Sequence, residues 1–178
     1  MQYVSLAARC AVGLVFLVAV LGKVRSRKAF AEFRSSVPGL APGLPRTTTS
    51  VAVVTAESVT VVLLAIEPTA PVGFVLAGAV LLAFTWAIQR SLRNGRRASC
   101  RCLGTSTVPL GRVHVVRNLA LISAVTSGLS AHLAAASAPV HPAGALVAAA
   151  GGGVLAVVFI FFHELADVLI APSPGGPR

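Results

Sequence analysis

Asn118–Phe162 reads NLALISAVTSGLSAHLAAASAPVHPAGALVAAAGGGVLAVVFIFF and contains no Lys, Arg, Asp or Glu. A helix crossing the hydrocarbon core of a bilayer needs about 20 predominantly apolar residues. This run is roughly twice too long for one crossing and too apolar for a water-exposed surface. Pro139 and Pro142 bracket His141 near its middle, and paired prolines oppose helix continuation. The run therefore divides into two spans, about Val115–Ala136 and Ala143–His163. The second is the weaker, because Gly151-Gly152-Gly153 lowers its helix propensity.

The same criterion applied upstream finds three more spans. Pro68–Gln89 is free of charge, Thr47–Ile66 is interrupted only by Glu57, and Ser5–Gly22 carries Arg9 near its start. The first lacks the basic n-region and the clean small-x-small site of a signal peptide, so it is expected to remain as a helix. Composition agrees. Of 178 residues, 56% are hydrophobic and 11% charged, with a mean hydropathy of +0.85. Soluble domains are about 45–50% apolar and about 25% charged, and disorder needs low hydrophobicity. The expected fold class is all-α, a polytopic membrane bundle of four to five transmembrane helices.

The net charge of +10 would suggest nucleic acid in a soluble protein. Here the basic residues flank apolar runs, which points to the bilayer as partner and excludes nucleic acid. Lys23, Arg25, Arg27, Lys28, Arg34 and Arg46 follow the first span. Arg90, Arg93, Arg96, Arg97, Arg101, Arg112 and Arg117 lie in or beside the connection between the third and fourth. The other connections, Glu67–Pro71 and Ser137–Pro142, carry none. By the positive-inside rule both basic loops face the cytoplasm and the N-terminus lies outside, in a multi-pass protein of the plasma membrane. Within the first basic loop, Phe30, Phe33 and Val37 recur at helical spacing over residues 28–37, as in an interfacial helix. Pro38, Pro42 and Pro45 should stop it.

Two features invite chemistry. Cys100 and Cys102 form Cys-Arg-Cys in the loop 98–111. A disulfide closing so small a ring is strained, so the pair reads as redox-active in place of a structural staple. Arg97 and Arg101 would favour the thiolate. The alternative is two unpaired loop cysteines; a metal site would need two further ligands, and His114 is the only nearby histidine. Cys10, in the first span, reads as packing. The second feature is Glu57, since an ionised carboxylate within a span is costly without a partner. At 1.5 Å per residue, Glu57 lies about 15 Å from the cytoplasmic end of its helix, Arg9 about 20 Å and Arg117 only about 3–5 Å. Depth therefore nominates Arg9 as the intramembrane partner of Glu57, forming either a packing pair or a proton- or quinone-coupled one. Lys23 reads as a cation at the negative end of a helix, Trp86 and Tyr3 as interface anchors, and His132, His141 and His163 as structural.

Taken together these residues resemble the MauE family, grouped with DoxX-like membrane proteins. The resemblance runs over roughly Arg9–Asn118. It comprises Arg9 and Phe16, Gly22-Lys23, then Phe33, Val37 and Pro38, then Glu57 and Phe84. The basic glycine-containing segment Arg93–Arg97 follows, leading into Cys100-Arg101-Cys102-Leu103-Gly104, with Arg117-Asn118 closing it. Arg101 stands where the family usually has glycine, and Leu103 where it has phenylalanine. The resemblance implies a helical membrane protein of methylamine utilisation. It would assist disulfide-dependent maturation of the methylamine dehydrogenase small subunit, with a thioredoxin-like companion and a client enzyme as partners. On that basis Cys100 and Cys102 are the redox pair of a thiol–disulfide relay. The alternatives are a non-catalytic scaffold and a DoxX-like, quinone-facing oxidoreductase subunit. No cofactor motif or metal-ligand set is evident; the last alternative would take quinone as its cofactor. The expected organisation is a four-helix membrane domain over residues 1–136, an additional span over 137–171 and a disordered tail over 172–178.

Overall fold

The computed structural model describes residues 1–40, 43–94, 112–135, 141–162 and 164. They form six helices, and no strand occurs among them: α1 (Gln2–Val24), α2 (Arg27–Leu40), α3 (Arg46–Ala65), α4 (Ala70–Arg93), α5 (Arg112–Leu133) and α6 (Pro142–Ile160). A short 3-10 turn, Glu67–Thr69, leads into α4. Five of the six are long and apolar enough to cross a membrane; α2 is the exception. The five spans expected from the sequence are thus present, with α1 and α5 beginning three residues earlier than expected and α3 and α6 one residue earlier.

The core forms where α1, α3, α4 and α5 meet, around Val12, Phe16, Leu64, Phe74, Ala77 and Leu121. Small residues set the spacing. A Cβ added at Gly128 of α5 would stand 2.6 Å from Ala8 of α1 and from the Phe74 ring of α4, so three helices close around a position that only glycine fits. α6 packs on α1 and reaches the core through Ala156, with Phe159 and Ile160 against it. The middle residue of the triple glycine that weakens its intrinsic propensity explains this packing. A Cβ at Gly152 would collide with the Ala7 carbonyl and lie 2.8 Å from Cys10 Cβ, whereas Gly151 and Gly153 face open space. Helix propensity is given up for close approach, which is the usual route to helix association where lipid and protein are equally apolar. The backbone N–H of His141 donates to the Tyr3 hydroxyl (3.3 Å), tying the start of α6 to the start of α1. Ser5 Oγ and His132 Nδ1 lie 3.3 Å apart, joining α1 to α5.

The amphipathic segment expected at 28–37 is α2, and it runs through Pro38 to Leu40. Pro38 was expected to end the helix. In its last turn, the proline disturbs only the carbonyl one turn back, at Arg34, so the helix survives it. The apolar face of α2, Ala29, Phe33 and Val37, is buried and lies against α1, α3 and α4. It covers protein where the sequence suggested acyl chains. Lys23, Arg25, Arg27, Lys28, Arg46, Arg90 and Arg93 mark one end of the bundle, called here the basic end.

Candidate functional site

Three helices bring the polar groups of the site together through their buried stripes. On α1 the stripe is Ala8, Val12, Val15, Phe16, Ala19 and Lys23. These positions fall three and four apart and share one face, so the register that buries Phe16 also buries Lys23. On α3 the stripe is Ser50, Glu57, Thr60 and Leu64. On α5, His114, Arg117, Asn118, Leu121 and Val125 are buried at the same spacing.

These stripes converge near the basic end on an ion pair. Lys23 Nζ donates to both oxygens of Glu57, at 2.8 and 2.9 Å, with side-chain exposures of 0% and 4%. It also donates to the Ala19 carbonyl at 3.4 Å, and lies 5.2 Å from the centre of the Phe33 ring. α2 therefore closes the pair from below with an aromatic face, which attracts a cation. Arg117 is near enough to Lys23 for the two cations to interact. It is buried, and its Nε has no hydrogen-bond partner among the described residues. Glu57, Arg117 and Asn118 line a small cavity of about 30 Å³, whose other walls include Phe16, Phe84 and Leu121.

Depth nominated Arg9 as the partner of Glu57; the partner is Lys23. Two physical effects defeat the depth count. A lysine on a helix points back toward the helix N-terminus. The Lys23 ammonium, bonded to the Ala19 carbonyl, therefore lies about one turn, roughly 5–6 Å, deeper than its Cα. In addition, α3 begins with the polar run Arg46-Thr47-Thr48-Thr49-Ser50, so distance along that helix overstates how far Glu57 is buried. Arg9 serves the other end of α3. Its Nε donates to the Leu64 carbonyl (2.8 Å) and an Nη to the Ala65 carbonyl (3.0 Å). The last carbonyls of a helix lack intrahelical donors and carry its negative partial charge, so a guanidinium there satisfies both. Arg9 thus caps a helix and leaves Glu57 to Lys23.

Sequence reasoning reads Lys23 as a helix-end cation and sets Arg117 aside as too shallow to reach Glu57. The missed signal was periodicity, because Lys23, Arg117 and Asn118 each continue an apolar stripe. Trp86 is exposed on α4, with the Arg90 guanidinium 5.2 Å from its ring centre, as suits an interface anchor. Cys100 and Cys102 lie outside the described residues, as do the arginines of segment 96–101, and so does His163. Their place is fixed only by the chain: residues 95–111 connect the basic end of α4 to the basic end of α5. Cys10 is a free thiol.

The fold is a five-span bundle, with a buried Lys–Glu pair and a buried Arg-Asn step opening α5. No curated protein and no solved structure matches the chain. A family model does: that of methylamine utilisation protein MauE, over residues 1–131. The match takes in α1 to α4 and all but the last two residues of α5, with the whole charged cluster, and leaves α6 beyond it. By this match and by its membrane-spanning helices, the chain belongs to the MauE family, membrane proteins linked to methylamine utilisation.

Proposed function

We propose that the protein is a thiol–disulfide relay of the plasma membrane, with Cys100 and Cys102 as the exchanging pair and a methylamine dehydrogenase-type enzyme as client. The observation that carries this reading is where the chain ties the Cys-Arg-Cys segment. It joins the two helix ends beside the buried Lys23, Glu57, Arg117 and Asn118 cluster. A bundle with charge packed into its interior at that end offers a rigid, cationic base for thiolate chemistry.

In the relay, a client thiolate attacks the Cys100–Cys102 disulfide and forms a mixed disulfide. The client's second thiolate resolves it. The client gains a disulfide, and Cys100 and Cys102 become a dithiol. Two electrons and two protons then leave the dithiol to an acceptor, either the disulfide of a thioredoxin-like partner or a bilayer quinone. The distribution of Lys and Arg favours an outside N-terminus and a cytoplasmic basic end. Electrons from an outward-facing client would then have to cross the bundle, or the cysteine segment would have to reach into it.

Thiol trapping in intact cells tests both parts. Alkylation of Cys100 and Cys102 by a permeant maleimide but not by an impermeant one places the pair inside. A mass shift that depends on reduction shows that it cycles. Loss of client disulfides in Cys100→Ser and Cys102→Ser supports the relay. If the double variant matures its client at the normal rate, the relay is refuted and a non-catalytic scaffold anchored through the basic loops becomes the better description.

A further inference from the structure

We propose that the small cavity between α1, α3, α4 and α5 is a binding site for a halide ion. Three observations carry it, and none depends on the cysteine pair. First, the charges in the cluster do not balance. Lys23 and Arg117 are both buried, while Glu57 is the one carboxylate among the described residues lining the cavity. Both oxygens of Glu57 are already turned to Lys23. The pair is neutral as a unit, and Arg117 is left as a surplus positive charge inside a membrane-spanning bundle, where uncompensated charge is costly.

Second, Arg117 is built to receive a ligand. It is 8% exposed, its Nε has no hydrogen-bond partner among the described residues, and its side chain forms part of the cavity wall. Asn118, 2% exposed, lines the same cavity and brings an amide donor. Third, the space suits a small ion. About 30 Å³ exceeds the ~10–15 Å³ that a single water needs, so a monatomic anion has room. The walls formed by Phe16, Phe84 and Leu121 favour a polarisable, weakly hydrated ion over a strongly hydrated one. Water alone could solvate the guanidinium but would leave the surplus charge in place. A monatomic anion does both.

The test uses the full-length protein, purified in a neutral detergent. Thermal unfolding is followed by helical circular dichroism in sodium chloride, bromide, fluoride and gluconate at constant ionic strength. Chloride and bromide should raise the midpoint saturably, by about 5 °C or more at one hundred times Kd. Bromide should be at least as effective as chloride, the reverse of its usual rank as a stabilising salt, and fluoride and gluconate should have no such effect. Broadening of the ³⁵Cl resonance by the protein, reversed by bromide, gives a direct second readout. Arg117→Gln removes the surplus charge and the donor together, so its midpoint should no longer respond to halide. Lys23→Met keeps the donors but leaves Glu57 to neutralise Arg117, and should weaken halide binding at least tenfold. If chloride and gluconate are equivalent for the unmodified protein and the ³⁵Cl line is unaffected, the cavity holds water only and the proposal fails. It fails equally if Arg117→Gln responds to halide as the unmodified protein does.

Discussion

Replacing Glu57 by Gln should be among the most damaging single changes that preserve shape. Lys23 Nζ directs two short bonds to the carboxylate, at 2.8 and 2.9 Å, and its third donor goes to the Ala19 carbonyl at 3.4 Å. An amide keeps one acceptor but no charge. The cluster then holds Lys23 and Arg117 with no carboxylate between them. Removing one partner of a buried pair typically costs about 3–5 kcal/mol, whereas replacing both is often close to neutral. Lys23→Met should be milder than Glu57→Gln, because Glu57 and Arg117 line the same cavity and balance one another. Lys23→Met combined with Glu57→Gln returns the cluster to one surplus positive charge, as in the native protein. The double variant should therefore recover at least about 2 kcal/mol of the loss caused by Glu57→Gln. Unfolding of the purified protein in mixed micelles of increasing denaturing detergent measures all four forms. A Glu57→Gln protein as stable as the native one would refute the reasoning, and so would a double variant in which the two losses simply add.

Arg9→Gln should lose its bonds to the Leu64 and Ala65 carbonyls, about 1.5–3 kcal/mol. Its effect should add to that of Glu57→Gln within about 0.5 kcal/mol, whereas coupling in the same unfolding assay would restore Arg9 as the partner. Gly152→Val should loosen α6 from α1 and lower the unfolding midpoint, because its side chain would collide with Ala7 and Cys10. Gly151→Ala and Gly153→Ala, facing open space, should be neutral or stabilise by up to about 1 kcal/mol. Phe33→Leu keeps most of the apolar packing of α2 but removes the ring beneath Lys23. The cation–π part alone should amount to about 0.5–2 kcal/mol; a Phe33→Leu protein indistinguishable from native would remove the ring from the account of the pair.

The bundle was legible in the sequence because a bilayer imposes a length and an apolarity on every span, and both are written residue by residue. The prolines around His141 divide α5 from α6, and the charge-free Pro68–Gln89 run lies within α4. Glu57 stood out for the same reason, as an ionisable group in an apolar run. Its partner did not. Lys23 and Arg9 are both cations on α1, and a count along the helix axis favoured the wrong one. The outcome depends on where an ammonium goes after its four methylenes bend back along the helix, and on which carbonyls at the end of α3 lack donors.

The sequence by itself determined the number of spans, the basic end and the residues able to carry charge, because each follows from local composition and period. Only the tertiary structure decided that Lys23 pairs with Glu57, that Arg9 caps α3, and that Arg117 and Asn118 face a shared cavity. Those assignments arise from side chains of helices far apart in the chain, packed together within a few ångströms. At that range, direction and unmet hydrogen bonds outweigh depth.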